Sequence, residues 1–192
     1  TPVVRERISN AVKDSENWVL LGGPPCQAYS LVGRSRNRGN EDYRAEEDHR
    51  QFLYVEYLQV LADHSPAVFV MENVKGMLSS SIEKRKVFDL VTEDLRSGGG
   101  AAEYDLFPLT ESMIPSAKAQ PRDFVVAAED HGVPQARHRV IIVGIRRDLI
   151  EGSGVSTRPR LARAARKATV RDVLSAMPKL RSGISARGGN ID

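Results

Sequence analysis

Three short apolar runs along the chain predict buried strands. The runs are Trp18–Leu21, Val68–Met71 and Val140–Ile145, and each is bounded by polar or turn-forming residues. Each run is continuous in apolar residues and partly β-branched, whereas a strand with one face in water alternates between apolar and polar residues. We therefore expect three strands of a parallel sheet that is buried on both faces.

Two longer segments predict amphipathic helices. Arg50–Ala62 carries a broad apolar stripe at helical spacing, and Ile82–Leu95 carries a narrower one. The run of glycines that starts at Gly98 is expected to end the second helix. A shorter segment, Thr169–Pro178, has the pattern of a capped helix. Strands that alternate with helices predict a doubly wound α/β sheet.

Three irregular stretches interrupt this alternation. Ser30–His49 is a polar loop of about 20 residues, a length that is typical of a functional lid or of disorder. Thr110–Asp123 contains two prolines, and Glu151–Arg166 is rich in glycine and arginine, as in a linker. The last stretch separates a main domain, residues 1–150, from a C-terminal part, residues 151–192.

The composition fits a globular domain in a reducing compartment. The chain has 192 residues, of which 41% are hydrophobic and 28% are charged. Its single cysteine excludes an internal disulfide and a cysteine-based zinc site, and fits a cytosolic protein. No apolar run approaches the roughly 20 residues of a membrane helix, and there is no signal-peptide pattern. Because the chain begins at Thr1 without an initiator methionine, we expect a processed product or a fragment.

Positive charge is concentrated near the C-terminus. The formal net charge is only +3, but eleven basic residues and three acidic ones lie between Arg146 and Arg187, an excess of eight positive charges. Such a block indicates a polyanionic partner, and the predominance of arginine over lysine suits phosphate groups. A solvated, partly disordered tail is the alternative interpretation.

Reactive side chains flank the predicted strands. Cys26 follows the first strand after a Gly-Gly-Pro-Pro turn, and Glu72 ends the second. Gln135, Arg137 and Arg139 precede the third, and they share one face if that strand has already begun. Since function in α/β sheets gathers at strand ends, we expect a thiol, a carboxylate and two guanidiniums to converge at one edge of the sheet.

Each of these residues also has an ordinary structural interpretation. A single cysteine is usually a small buried apolar residue, and Glu72 could be an acid at a helix N-terminus. Arg137 and Arg139 could be surface charges. A generic thiol enzyme with a Cys–His pair is a further alternative. None of the four histidines is an obvious partner, although His138 lies near these residues.

Taken together, three motifs resemble the DNA cytosine-5 methyltransferases. They are GGPPCQAYSLVGR at 22–34, MENVKGML at 71–78 and GVPQARHRVIIVG at 132–144, and their order agrees with the catalytic core of that family. The resemblance covers roughly residues 17–150. It implies that residues 1–150 are the central part of the catalytic domain, and that residues 151–192 are a basic linker and the start of the target-recognition region.

The resemblance implies methyl transfer from S-adenosylmethionine to C5 of a cytosine flipped out of double-stranded DNA. Cys26 would add to C6 as a thiolate, and Glu72 would donate to N3 from a desolvated pocket. Arg139 would bind the cytosine O2, and Arg137 would contact backbone or phosphate near the site. The loop after the cysteine, which carries Arg34 and two further arginines, would close over the DNA.

The resemblance also implies which residues bind the substrate and the donor, and two segments of the family's donor site have no match in this sequence. The residues implied for substrate binding are Pro24, Pro25, Gln27, Ser30, Asn73, Val74 and Gln135, and those implied to line the donor are Pro25 and Leu53. Val32 replaces a polar residue of some family members. No Phe-x-Gly-x-Gly donor loop precedes Trp18, and the closing segment with its asparagine is absent. We therefore expect a partial Rossmann-like sheet without its N-terminal donor-binding strands, an incomplete donor site and no metal.

Two other functions remain open. A relative with the same core could methylate cytosine in transfer RNA, or the chain could be a catalytically inactive nucleic-acid-binding remnant. The resemblance favours the DNA enzyme, in the bacterial cytoplasm, associated with the nucleoid and with restriction-modification. The oligomeric state is left open.

Overall fold

The computed structural model describes residues 2–25, 52–82, 84–110, 119–153 and 160–178. The three apolar runs form strands β1 (Val19–Gly22), β2 (Val68–Val74) and β7 (His138–Arg146). Two further strands of the same sheet are β5 (Tyr104–Pro108) and β6 (Val125–Ala127), and β3 (Ser81–Ile82) pairs with β4 (Arg85–Lys86) in a separate ribbon.

The main sheet is mixed rather than parallel. Its strand order is β1–β2–β7–β5, and β6 pairs with the beginning of β7. β1 is parallel to β2, but β7 is antiparallel to β2, β5 and β6. The positions of the three predicted strands are therefore confirmed, whereas the parallel direction of the third is wrong. A continuous apolar run reports that a strand is buried but carries no information on its direction.

Among the residues that the structure describes, three of the six helices lie where the sequence predicts them. They are α1 (Pro2–Val12), α2 (Phe52–His64), α3 (Gly76–Ser79), α4 (Val87–Ser97), α5 (Arg147–Ser153) and α6 (Val170–Leu174). The prediction for Ile82–Leu95 is wrong at its start, because the β3–β4 ribbon occupies the first part of that segment. The end is confirmed: Gly98 takes the left-handed conformation, with φ 53°, directly after α4.

An aromatic core joins α2 and α4 to one face of the sheet. Phe69 of β2 is fully buried, and its ring packs edge-on against Tyr57 of α2 and Tyr104 of β5, at centroid distances of 6.2 and 5.1 Å. The Tyr104 hydroxyl donates to Pro66 O at 2.8 Å, and burial raises the pKa of this phenol to about 12. The core thus fixes β2, whose far end carries Glu72.

The opposite face of β1 and β2 is open in the described parts of the chain. Val19 and Leu21 of β1 are 55% and 73% exposed, while Met71 on the other face of β2 is fully buried. The prediction that these strands are buried on both faces is therefore wrong for the residues that the structure describes. Glu72 lies on this open face, since it alternates with Met71 along the strand.

Gly144 is expected to be one of the least replaceable residues of the core. It pairs with Phe69 across β2 and β7, and a Cβ at this position would lie 2.1 Å from the Phe69 ring. Gly144→Ala should therefore lower the free energy of unfolding by at least about 1–3 kcal/mol, as overpacking does in other cores. Urea unfolding measures the change. Gly152→Ala is the control, because no atom lies within 4 Å of its added Cβ, and equal stability of the two variants would contradict the packing described here.

Candidate active site

The ends of β1 and β2 and the beginning of β7 meet at one edge of the sheet. β1 and β2 are parallel and both end at this edge, whereas β7 starts there because it runs in the opposite direction. Val74 pairs with Arg139 in the register of β2 and β7. Paired residues of neighbouring strands point to the same side, and so do residues two apart along a strand. Glu72 and Arg139 consequently share the open face.

Glu72 and Arg139 form an ion pair. Arg139 Nε lies 2.7 Å from Glu72 Oε1, and the two side chains are 23% and 43% exposed. The contact is electrostatic rather than an aligned hydrogen bond, since Nε–H has no correctly oriented acceptor, while Nη1 donates to His138 O at 2.8 Å. Two of the four side chains that were expected to converge, Glu72 and Arg139, are thus brought together. Glu72 is also part of a strand, which removes the alternative that it is an acid at a helix N-terminus.

The expected desolvated pocket around Glu72 is not formed by the residues that the structure describes. At 43% exposure the carboxylate is still reached by water. The reason is the uncovered face of β1 and β2 on which Glu72 lies, where Leu21 is 73% exposed. The pocket therefore stays a prediction.

The turn after β1 is held against the end of β2. Asn73 is only 5% exposed, and its Nδ2 donates to Pro24 O at 3.3 Å while its Oδ1 accepts from Val74 N at 2.8 Å. Gly23 is pressed against the acid, since a Cβ there would lie 3.0 Å from Glu72 Oε2. Pro24 is buried and Pro25 is exposed. This anchored turn leads directly into Cys26, which lies outside the described residues together with Gln27 and Ser30.

Gln135 and Arg137 are not part of a strand. β7 begins at His138, so the condition under which Gln135, Arg137 and Arg139 would share a strand face is not met. Instead, Arg137 N donates to Gln135 O and Gln135 N donates to Val133 O, each at 2.8 Å, which forms two tight consecutive turns. Gln135 and Arg137 are exposed, and their roles in binding remain predictions.

The two residues expected to line the donor are accessible. Leu53 is 46% exposed near the start of α2, and Pro25 is exposed beyond the turn. The helix of Leu53 approaches this turn, because the Tyr57 ring lies only 2.5 Å from the position of a Cβ on Gly22. Their contact with a donor stays a prediction. In the described ranges no cluster of histidine, aspartate and glutamate residues could hold a metal ion.

The structure adds an ionic cluster that the sequence did not reveal. His138 Nε2 lies 2.8 Å from Glu129 Oε1, and Lys167 Nζ lies 2.7 Å from Asp130 Oδ1. These contacts hold the pKa values of Glu129 and Asp130 below their usual range and raise that of Lys167. His138 therefore faces an acid rather than the turn before Cys26, which weakens the Cys–His alternative.

Some charges of the C-terminal basic block are neutralised by acids. Lys167 is paired with Asp130, and Arg166 Nη1 donates to Asp172 Oδ2 at 2.9 Å. Asp172 is already counted in the excess of eight charges, whereas Asp130 lies outside the block. The Lys167–Asp130 pair therefore lowers the excess of positive charge that is free to meet a polyanion. In the described stretches no helix is long and apolar enough to cross a membrane.

Asp172 makes α6 sensitive to acid. Thr169 N donates to its Oδ2 at 2.8 Å, and this bond, together with those from Arg166 and the Thr169 hydroxyl, lowers its pKa from 3.8 to about 2. Because the pKa is lower in the folded state, the stabilisation is present above about pH 4 and is lost as the pH falls towards 2. The amide NMR signals of Val170–Leu174 should shift as the pH falls through this range, and Asp172→Asn should abolish the shift. Signals that stay constant down to pH 2 would contradict it.

Comparisons with known proteins identify the family. The family model described as C-5 cytosine-specific DNA methylase matches residues 4–187. The chain is 32% identical over 163 residues to the type II methyltransferase M.Bpa9945I of Bacillus paralicheniformis, covering 85% of this chain and 33% of that protein. It is 28% identical over 173 residues to the type II methyltransferase M.DdeI of Desulfomicrobium norvegicum, covering 90% of this chain and 34% of that protein.

A solved structure shares the fold. A crystal structure described as a DNA modification methyltransferase encoded within a prophage of E. coli matches with a TM-score of 0.55 and 20% identity, over 91% of this chain and 39% of that one. The expected Rossmann-like α/β methyltransferase fold is thereby confirmed. The chain spans about a third of the length of the curated relatives described above. By the match of the family model to nearly its whole length, this chain belongs to the C-5 cytosine-specific DNA methylases.

Proposed function

We propose that this chain carries the catalytic centre of a DNA (cytosine-5) methyltransferase that acts on a base flipped out of double-stranded DNA. The observation that carries the proposal is the contact of Glu72 with Arg139, beside the turn that leads into Cys26. A carboxyl and a guanidinium at this spacing can address neighbouring atoms of one pyrimidine ring, N3 and O2. A thiol at the end of the same turn can reach C6 of that ring.

The chemistry follows from the weak nucleophilicity of cytosine C5. The Cys26 thiolate adds to C6, and the electrons of the C5–C6 bond move towards N3 and O2, so that C5 becomes enamine-like. Glu72 donates a proton or a strong hydrogen bond to N3, and Arg139 stabilises the charge on O2. S-adenosylmethionine supplies the electrophilic methyl group. A base then removes the C5 proton, and the thiolate leaves as the C5–C6 double bond re-forms.

The described contacts hold the turn before Cys26 and the Glu72 carboxylate in place before the base binds. Asn73 ties Pro24 to β2 and thereby fixes the turn on one side of Glu72. Arg139 fixes the carboxylate on the other side. Groups that are already in place lose little entropy when the base arrives, which is a main source of enzymatic rate. For Glu72 to act as a proton donor, the base and the covering loop must replace the water that now reaches it.

The donor site is proposed to be shared with segments outside this chain. Leu53 and Pro25 offer apolar surface beside the turn, which fits part of a donor molecule but supplies no carboxylate for its ribose. We infer that the chain is the central part of a longer enzyme. Calorimetry should therefore detect weak binding of S-adenosylmethionine to this chain or none, and sub-millimolar affinity would contradict the inference.

The substrate is tested by methyl incorporation. The longer enzyme that contains this chain, incubated with tritiated S-adenosylmethionine, is expected to label double-stranded DNA on cytosine C5 and to leave transfer RNA unlabelled. Preferential labelling of transfer RNA would establish the RNA enzyme instead. Labelling of neither substrate by an intact protein would favour an inactive nucleic-acid-binding remnant.

A further inference from the structure

His138 lies between Arg137 and Arg139 in the Gln-x-Arg-x-Arg motif at 135–139, and its side chain contacts a residue outside the sheet. Its Nε2 lies 2.8 Å from Glu129 Oε1. Glu129 belongs to the short 3-10 helix Ala128–His131, which follows β6 directly. The first residue of that helix donates from Ala128 N to Arg137 O at 3.0 Å. The side chain of Glu129 and the backbone of Ala128 thus attach this helix to His138 and Arg137, where β7 begins.

This attachment bears on Arg139 because neighbouring residues of a strand point to opposite faces. A contact that fixes His138 towards Glu129 leaves Arg139 directed to the other face, where Glu72 lies. The β6–β7 register agrees, since Ala127 pairs with His138 and Val126 pairs with Arg139. Without the contact, the first residues of β7 would be held by the ladder of their backbone hydrogen bonds and by the ion pair of Arg139 with Glu72.

The 3-10 helix is itself fixed on its far side. Asp130 receives Lys167 Nζ at 2.7 Å on its carboxylate and Ala164 N at 2.9 Å on its carbonyl oxygen. His131 Nδ1 lies 2.8 Å from Ala162 O. The helix that carries Glu129 is therefore also held by contacts that do not involve His138.

We propose that Glu129 and His138 are a positioning pair for Arg139, which they direct towards Glu72 and the substrate base. The proposal rests on the function proposed above for Arg139. The pair is only partly shielded, with side chains that are 20% and 42% exposed, and side-chain contacts that water reaches contribute little to global stability. Its removal should consequently disturb orientation without unfolding the chain.

The structural part is tested by NMR on the chain itself. The Nε–H signal of Arg139 is expected to shift in Glu129→Ala, and to keep its position in Glu93→Ala. Glu93 is a matched control because it forms an exposed ion pair with Arg85, at 2.7 Å, on a different part of the fold. Both variants should unfold at nearly the same urea concentration. An unchanged Arg139 signal in Glu129→Ala would overturn the proposal.

The functional part is tested by kinetics of the longer enzyme. Glu129→Ala is expected to lower kcat about tenfold, as small misplacements of catalytic groups do, with the KM for DNA unchanged. Glu129→Gln should restore most of this loss, since its amide oxygen can still accept from Nε2–H. Glu129→Ala combined with His138→Ala should be no slower than Glu129→Ala alone.

These outcomes distinguish a failure of the positioning role of Glu129 and His138 from a failure of the proposed methyl transfer. An unaltered kcat, a change confined to KM, or a Glu129→Gln variant as slow as Glu129→Ala would overturn the positioning role while leaving methyl transfer intact. If the parent enzyme methylates nothing, the proposed function fails, and the Arg139 signal still decides whether Glu129 and His138 orient this side chain.

Discussion

Cys26→Ser is expected to abolish methyl transfer, with turnover lowered by more than about 10³-fold, because loss of a catalytic nucleophile commonly costs this much or more. A serine hydroxyl is not ionised near neutral pH, so it adds to C6 far more slowly than a thiolate. The turn before it should persist, since Asn73 anchors Pro24 independently of the cysteine. DNA affinity should also persist, because most of it comes from phosphate contacts.

Two measurements made together check this expectation. Tritiated methyl incorporation reports turnover, and a gel-shift titration at fixed salt reports DNA binding. A variant that keeps more than about a tenth of the turnover would show that Cys26 is not the nucleophile. A variant that loses activity and DNA binding in parallel would assign Cys26 a structural role.

Glu72→Gln is expected to slow methylation by about 10²–10⁴-fold, the usual contribution of a positioned proton donor. Glutamine is suited to the test because it has the same size, and Gly23 leaves little room for anything larger beside this side chain. It can still donate a weak hydrogen bond from its amide, but it cannot transfer a proton to N3. Since Glu72 is 43% exposed, its replacement should leave the fold intact.

A second glutamate provides the control. Glu103 is also paired with an arginine, Arg147, but it lies beyond the other end of β7, next to the pairing of Tyr104 with Arg146. Glu103→Gln should methylate DNA at the parental rate. If Glu72→Gln is equally fast, Glu72 does not act on the base. If Glu72→Gln unfolds at a clearly lower urea concentration, its role is to hold β2 and β7 together.

The meeting of Glu72 and Arg139 was expected from the order of the family motifs and not from the predicted strand directions. If the third strand were parallel to β2, Arg139 at its start would lie at the opposite edge of the sheet from Glu72. The antiparallel direction of β7 brings the two side chains to one edge. The direction of β7 was not predictable from its apolar run. A buried strand looks alike in both directions, and the choice depends on how the intervening strands β5 and β6 lead the chain back.

The ionic cluster shows the limit of reasoning from sequence. Glu129 and His138 are nine positions apart across a turn, and Asp130 and Lys167 are joined across most of the C-terminal third of the chain. Such pairs depend on how irregular segments pack, and no periodic pattern records that. The open face of β1 contradicts a prediction from the sequence. The continuous apolar run predicted that Leu21 is buried, but the described residues leave this side chain exposed.

Covalent trapping tests the central claim most directly. The longer enzyme is incubated with S-adenosylmethionine and duplex DNA that carries 5-fluorocytosine at the target position, and the adduct is mapped by mass spectrometry. Fluorine at C5 cannot be removed as a proton, so an enzyme that adds its thiol to C6 stays attached to the DNA. We predict a DNA-linked peptide that contains Cys26, formed much more slowly in Glu72→Gln. Active methylation of normal DNA without such an adduct, or an adduct on another residue, would contradict the account.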